Sequence, residues 1–194
     1  MSSATDCPLE EAMLAPRLSV VVLLWVLPIS WVVHDVEEIL TIEPWSRRWT
    51  RRIDGQTSGF GVQKRLVAVL ASTRRQYTLA VGLVGCIVVG ATIAGTLDPT
   101  GVGLVVYLTI LGGYFLHAFV HLGQSALLRG YTPGVVTAVL VVVPSSLFLY
   151  WRLFAAGVVD ARLVAVTATG GLLSFVPIVV GANWAARRLD DWGS

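Results

Sequence analysis

A chain of 194 residues that is 55% hydrophobic and 13% charged, with a mean hydropathy of +0.74, has too little polar surface to cover a water-soluble domain. Its formal charge of +2 conceals an uneven distribution, because eight of the 14 basic residues lie between Arg47 and Arg75. That confinement argues against a nucleic-acid binder and indicates a polytopic membrane protein.

Before the first apolar run the chain carries Asp6, Glu10 and Glu11 with only Arg17. This is not the cationic leader of a secretory signal, so the run is expected to be a retained span. Cys7 and Cys86 form no CxxC pair and no disulfide framework. Five stretches, about 18–41, 77–97, 102–128, 133–154 and 162–186, approach the roughly 20 apolar residues that a helix needs to cross a bilayer. The expected fold is all-α: a single membrane domain over 1–194, a bundle of five transmembrane helices. Pro28, Pro144 and Pro177 fall inside the first, fourth and fifth spans and are expected to bend them. On the second span Gly82, Cys86, Gly90 and Ala94 repeat every four residues, a stripe expected to pack closely against another helix.

The loop 44–76 is expected to be cytoplasmic and to carry a basic amphipathic segment. Val62, Leu66, Val69, Leu70 and Thr73 follow a helical period, with Lys64, Arg65, Arg74 and Arg75 around them. A surface anchor and a lid hinged at Gly55, Gly59 and Gly61 are both open readings. Counting basic residues on the two sides gives 11 against 3. This puts the N-terminus outside and the C-terminus in the cytoplasm, in a bacterial inner membrane.

The polar residues of the first span carry the functional signal. In Trp31-Val32-Val33-His34-Asp35-Val36-Glu37-Glu38-Ile39-Leu40 no turn residue separates the charges from the apolar run. On a helix His34, Glu37 and Glu38 share one face at i, i+3 and i+4, while Asp35 points about 100° away from His34. The remaining histidines, His117 and His121, stand one turn apart on the third span. Odd-numbered spans run in the same direction, so His34, His121 and Asn183 are expected at neighbouring depths in one cytoplasm-facing pocket. Ionisable groups inside a span are expensive and face a polar interior with partners.

The run His34-Asp35-Val36-Glu37-Glu38 resembles the signature of the HXXEE family, small bacterial multispan proteins defined by that motif near the N-terminus. His117, His121 and Asn183 extend the resemblance downstream. It implies a membrane protein with an active or metal site, and it brings no reaction with it.

Imidazoles and carboxylates without thiolates suit zinc, iron or manganese. In one arrangement His34, His117 and His121 hold a single zinc or iron ion, with Glu37 or Glu38 as general base. In another, two metals share the carboxylates. The expected metal site comprises His34, Glu37, Glu38, His117 and His121; Glu37 and Glu38 are the catalytic candidates, and Asn183, Tyr114, Gln124 and Ser125 are orienting groups. The expected activity is that of a metalloenzyme, a hydrolase or oxidoreductase, acting on a lipid-like or amphiphilic substrate beside the membrane lipids. The alternatives are a metal-free acid-catalysed isoprenoid cyclase or isomerase in which Glu37 and Glu38 share a proton, an ion or proton carrier, and a bis-histidine haem protein.

Overall fold

The computed structural model describes residues 20–54, 61–70 and 73–192. The N-terminal residues Asp6, Cys7, Glu10, Glu11 and Arg17 and the expected hinges Gly55 and Gly59 lie outside them. Helix α1 is Val26–Asp54, preceded by a helical piece over 20–24; α2 is Gly61–Leu70, α3 Arg74–Leu97 and α4 Val102–Leu128. Helix α5 is the span Val135–Ala155, with a π-helical segment Ala138–Val142. Helix α6 is Ala161–Trp192. No strand occurs among the described residues, and five helices are long and apolar enough to cross a membrane.

Proline shapes the first span. Pro28 has no N–H to donate to the carbonyl of Leu24, and the helix breaks at Trp25. The fully buried Tyr107 of α4 donates its hydroxyl to Leu24 O at 3.0 Å, which gives that carbonyl a partner inside the bundle. Around this bond Leu24, Leu27, Leu104, Leu108 and Leu111 make the core. The outward faces stay apolar, with Val32, Val36 and Leu40 of α1 exposed. This suits a lipid surround rather than water.

Helix α1 does not stop where the charges begin. Instead of entering a loop at residue 44, it runs through Pro44 to Asp54. Ile42, Trp45 and Trp49 recur at i, i+3 and i+7 and bury against Val67 of α2 and Leu128 of α4. The basic segment is therefore helical over Gly61–Leu70 but packs through Val67, and Thr73 caps α3 by accepting from Gln76 N at 3.2 Å. The side chains of Val62, Leu66, Val69 and Leu70 lie outside the described residues.

The small-residue stripe on α3 also differs from expectation. Gly82, Cys86 and Gly90 face outward, and a Cβ added at either glycine would meet nothing within 4 Å. Close packing is made elsewhere. At the α4–α6 crossing a Cβ on Gly171 would fall 2.4 Å from Thr109 O and 2.5 Å from Gly113 N. The backbones of α1 and α4, by contrast, stand apart, and polar side chains reach each other across the gap.

The Tyr107 bond yields a direct prediction. Tyr107→Phe leaves Leu24 O buried without its partner and should cost about 1–3 kcal/mol. Unfolding of the detergent-solubilised protein measures this, with helix content at low temperature unchanged.

Candidate metal centre

His34 and Glu38 occupy successive turns of α1 and turn inward together, 1% and 3% exposed. From α4, His117 and the 3% exposed His121 face them in the same way. One ligand atom from each of these four residues lies within 4.8 Å of every other. His117 Nε2 and His121 Nε2 are 2.7 Å apart, and His121 Nε2 is 3.1 Å from Glu38 Oε1. The His34 ring meets those of His121 and His117 edge-on, with centroids 4.9 and 5.5 Å away. The other oxygen of Glu38 accepts from the hydroxyl of Tyr77 on α3.

Glu37 belongs to a different construction. Successive residues on a helix diverge by about 100°, so Glu37 turns from the cluster toward the start of α5. There its Oε2 accepts from the backbone N–H of Thr137 at 2.7 Å and from the Thr137 hydroxyl at 2.6 Å. Its Oε1 accepts from the Tyr131 hydroxyl at 2.7 Å. A carboxylate on the free N–H groups of a helix's first turn is favourable in hydrogen bonding and in dipole. Burial pushes the Tyr131 phenol up to about 12, so Tyr131 remains a donor to Glu37 at neutral pH.

Thr137 links this strut to the cluster. Its hydroxyl has one proton, and that proton goes to Glu37; the contact of 2.8 Å between Thr137 Oγ1 and His34 Nδ1 must then run from the ring N–H to the hydroxyl oxygen. His34 is thereby held as the Nδ1–H tautomer, with its Nε2 lone pair free. That Nε2 is buried and without a hydrogen-bond partner. An orphaned imidazole nitrogen beside two more imidazoles and a carboxylate is what a divalent cation requires of its ligands.

The loop between α4 and α5 closes one side of the cluster. Arg129 adopts the left-handed conformation at φ 48°, the N–H of Gly130 returns to Ser125 O, and Trp45 donates to Tyr131 O at 2.9 Å. At Gly134, φ is 81°, and a Cβ would lie 2.7 Å from both Glu38 Oε1 and His121 Cε1. Glycine is demanded there by backbone conformation and by space.

The remaining expected residues are distributed unevenly. Tyr114 and Asn183 line the cavity beside the cluster, and Gln124 lines a second hollow next to it. Ser125 is engaged in the loop, donating to Gly130 O at 2.7 Å. Asp35 is not turned away, as its angle to His34 suggested. It is 7% exposed, lies on the Glu38 face of α1 and lines the cavity, and its Oδ2 is unpartnered. A carboxyl at i−3 from Glu38 shares its face, so the signal lay in the spacing to Glu38. Tyr77 and Thr137 had no comparable signal. The carboxyl pair on one face is thus Asp35 with Glu38, not Glu37 with Glu38.

Fold and site together define a multi-pass α-helical membrane protein with a buried His/Glu cluster between two spans. The family described as a protein of unknown function with HXXEE motif matches residues 25–149, and the chain belongs to it. The match contains His34, Glu37, Glu38, His117 and His121 and ends before Asn183. No curated protein and no solved structure is detectably similar to the chain.

The relay can be tested without any metal. In ¹⁵N-histidine-labelled protein His34 should give the signals of an Nδ1–H tautomer. Thr137→Val should move them toward the other tautomer, while Thr137→Ser should preserve them. An Nε2–H signal for His34 in the unsubstituted protein would refute the assignment.

Proposed function

We propose that the cluster holds one divalent metal ion, zinc or iron, and that the protein is a membrane-embedded metalloenzyme acting on a lipid-like or amphiphilic substrate. The observation that carries this reading is the convergence of four donor groups on one point, with the Nε2 lone pair of His34 free and fixed in direction. His34, His117 and His121 would be the ligands, with Glu38 oriented by Tyr77 as the fourth. A bound ion of this kind polarises a substrate oxygen or a water molecule.

The protein's own groups then divide the work. Glu37 and Thr137 orient His34, Tyr77 orients Glu38, and Asp35 is the carboxyl group placed to hold or release a proton at the cavity wall. Four donors around one point furnish a single ion. With Glu37 committed to α5, a second metal would have only Asp35 beyond these four donors. The same convergence weighs against a bis-histidine haem, since three imidazoles and a carboxylate within 4.8 Å leave no slot for a macrocycle.

The distribution of basic residues supports placing the cluster near the cytoplasmic leaflet of a bacterial inner membrane, with the N-terminus outside. The placing of Asp35 and Glu38 on one helix face in the cavity wall favours a second reading. In that reading the pair performs a metal-free, acid-initiated isomerisation or cyclisation.

Elemental analysis of the detergent-purified protein separates the two. One zinc or iron per chain is expected, falling to about a tenth or less in His34→Ala and His121→Ala with helix content retained, since each variant removes a ligand. A full metal complement in His121→Ala, or no uptake of zinc or iron by the unsubstituted protein, would leave the metal-free reading.

A further inference from the structure

The cluster stands at a neck between two hollows. Toward the middle of the bundle lies a cavity of about 140 Å³ between α1, α3, α4 and α6, with walls that include Val84, Val88, Ile110 and Ile178. Toward the end of the bundle that carries Arg129, a wider hollow of about 490 Å³ has Gln124, Pro133 and Arg187 among its lining residues. Glu38, Tyr77, His117 and Asn183 line both.

We propose that the two hollows form one binding site for a single-chain amphiphile: the apolar chain fills the inner cavity, an acceptor-rich head group occupies the outer hollow, and the group linking them lies against the His/Glu cluster. This rests on the metal reading above and specifies what the metal centre meets.

Size and lining carry the assignment. An apolar cavity of about 150 Å³ admits a benzene-sized molecule and otherwise stays dry, so the inner cavity has room for about six carbons of one chain and not for two chains abreast. Beyond Asp35 and Tyr114 beside the cluster, its polar wall groups Thr109 and Ser174 donate their hydroxyls to Val105 O and Gly171 O, so a polar head deep in the cavity meets no free hydroxyl donor, and burying a polar group without hydrogen bonds is costly. In the outer hollow Gln124 and Arg187 supply N–H donors. At the neck Asn183 is anchored through one N–H of Nδ2 to Val179 O at 2.9 Å, which leaves its second N–H and its Oδ1 to offer. A molecule with its chain inward and its head outward therefore presents its junction, rather than either end, to His117 and Glu38.

Hydroxamates test this, because one group binds the metal and the attached chain can be varied. Co²⁺ is loaded into the detergent-purified protein, and acetohydroxamate and octanohydroxamate are titrated while the visible absorption of the metal is followed. Val84→Trp and Ile178→Trp fill the inner cavity from two different helices. Each should weaken octanohydroxamate relative to acetohydroxamate by about tenfold or more, the scale of losing two or more buried methylenes. The proposal is overturned if the two probes keep their wild-type ratio in both variants. It is also overturned if Val180→Trp, in the outer hollow, is the substitution that selectively excludes the longer probe. Failure of the unsubstituted protein to take up Co²⁺ would instead strike the metal reading itself, and this proposal with it.

Discussion

The structure depends on placing His34 and Glu38, two polar groups one helical turn apart, inside a span that otherwise faces lipid. Such groups are tolerated only when partners meet them within the protein, and each neighbouring element supplies part of the answer. Helix α4 brings His117 and His121 to the same depth. Helix α3 contributes the Tyr77 hydroxyl to Glu38, and the start of α5 supplies Thr137 to His34. The outer face of α1 remains Val32, Val36 and Leu40, so one helix is polar inward and apolar outward, the reverse of a helix on a soluble domain.

Two adjacent glutamates then have two different tasks. Glu38, at i+4, lies within about 40° of His34, whereas Glu37 stands about 100° from Glu38 and reaches another neighbour. Through Thr137 that neighbour returns to His34. The motif is therefore a pair of inward-facing donor groups together with a strut. The strut fixes which nitrogen of His34 carries its proton, an outer-shell arrangement that orients an imidazole toward a cation.

Much of this was legible in the residues. The five spans follow from hydropathy, and the meeting of His34 with His117 and His121 follows from helix parity and distance to the polar boundaries. What was lost came from measuring angles to the wrong partner and from contacts between distant segments. Asp35 stands about 100° from His34, but Glu38, three residues on, shares its face. Thr137 and Tyr77 are ordinary residues near span ends, and only folding brings them 103 and 39 positions back along the chain to His34 and Glu38. The outward stripe on α3 shows the converse: small residues at a packing spacing say that helices can approach, not that they do. The loop expected from residue 44 begins later, because burial of Trp45 and Trp49 carries α1 past that point.

Chemistry and shape are held by different parts of the chain. The four candidate ligands, the Glu37–Thr137 strut and Tyr77 all lie within residues 25–149, the segment shared with the family. Helix α6 lies beyond it and donates no ligand among these four, but it supplies Phe175, Ile178, Val179 and Asn183 to the cavity walls. It meets the cluster at its edge, where the Phe175 ring lies 5.1 Å from that of His117. A change on α6 can therefore alter what fits beside the cluster while the donor groups stay in place. A change at Gly134 or Thr137 acts on the donors themselves, because no space separates those residues from His121, Glu38 and His34.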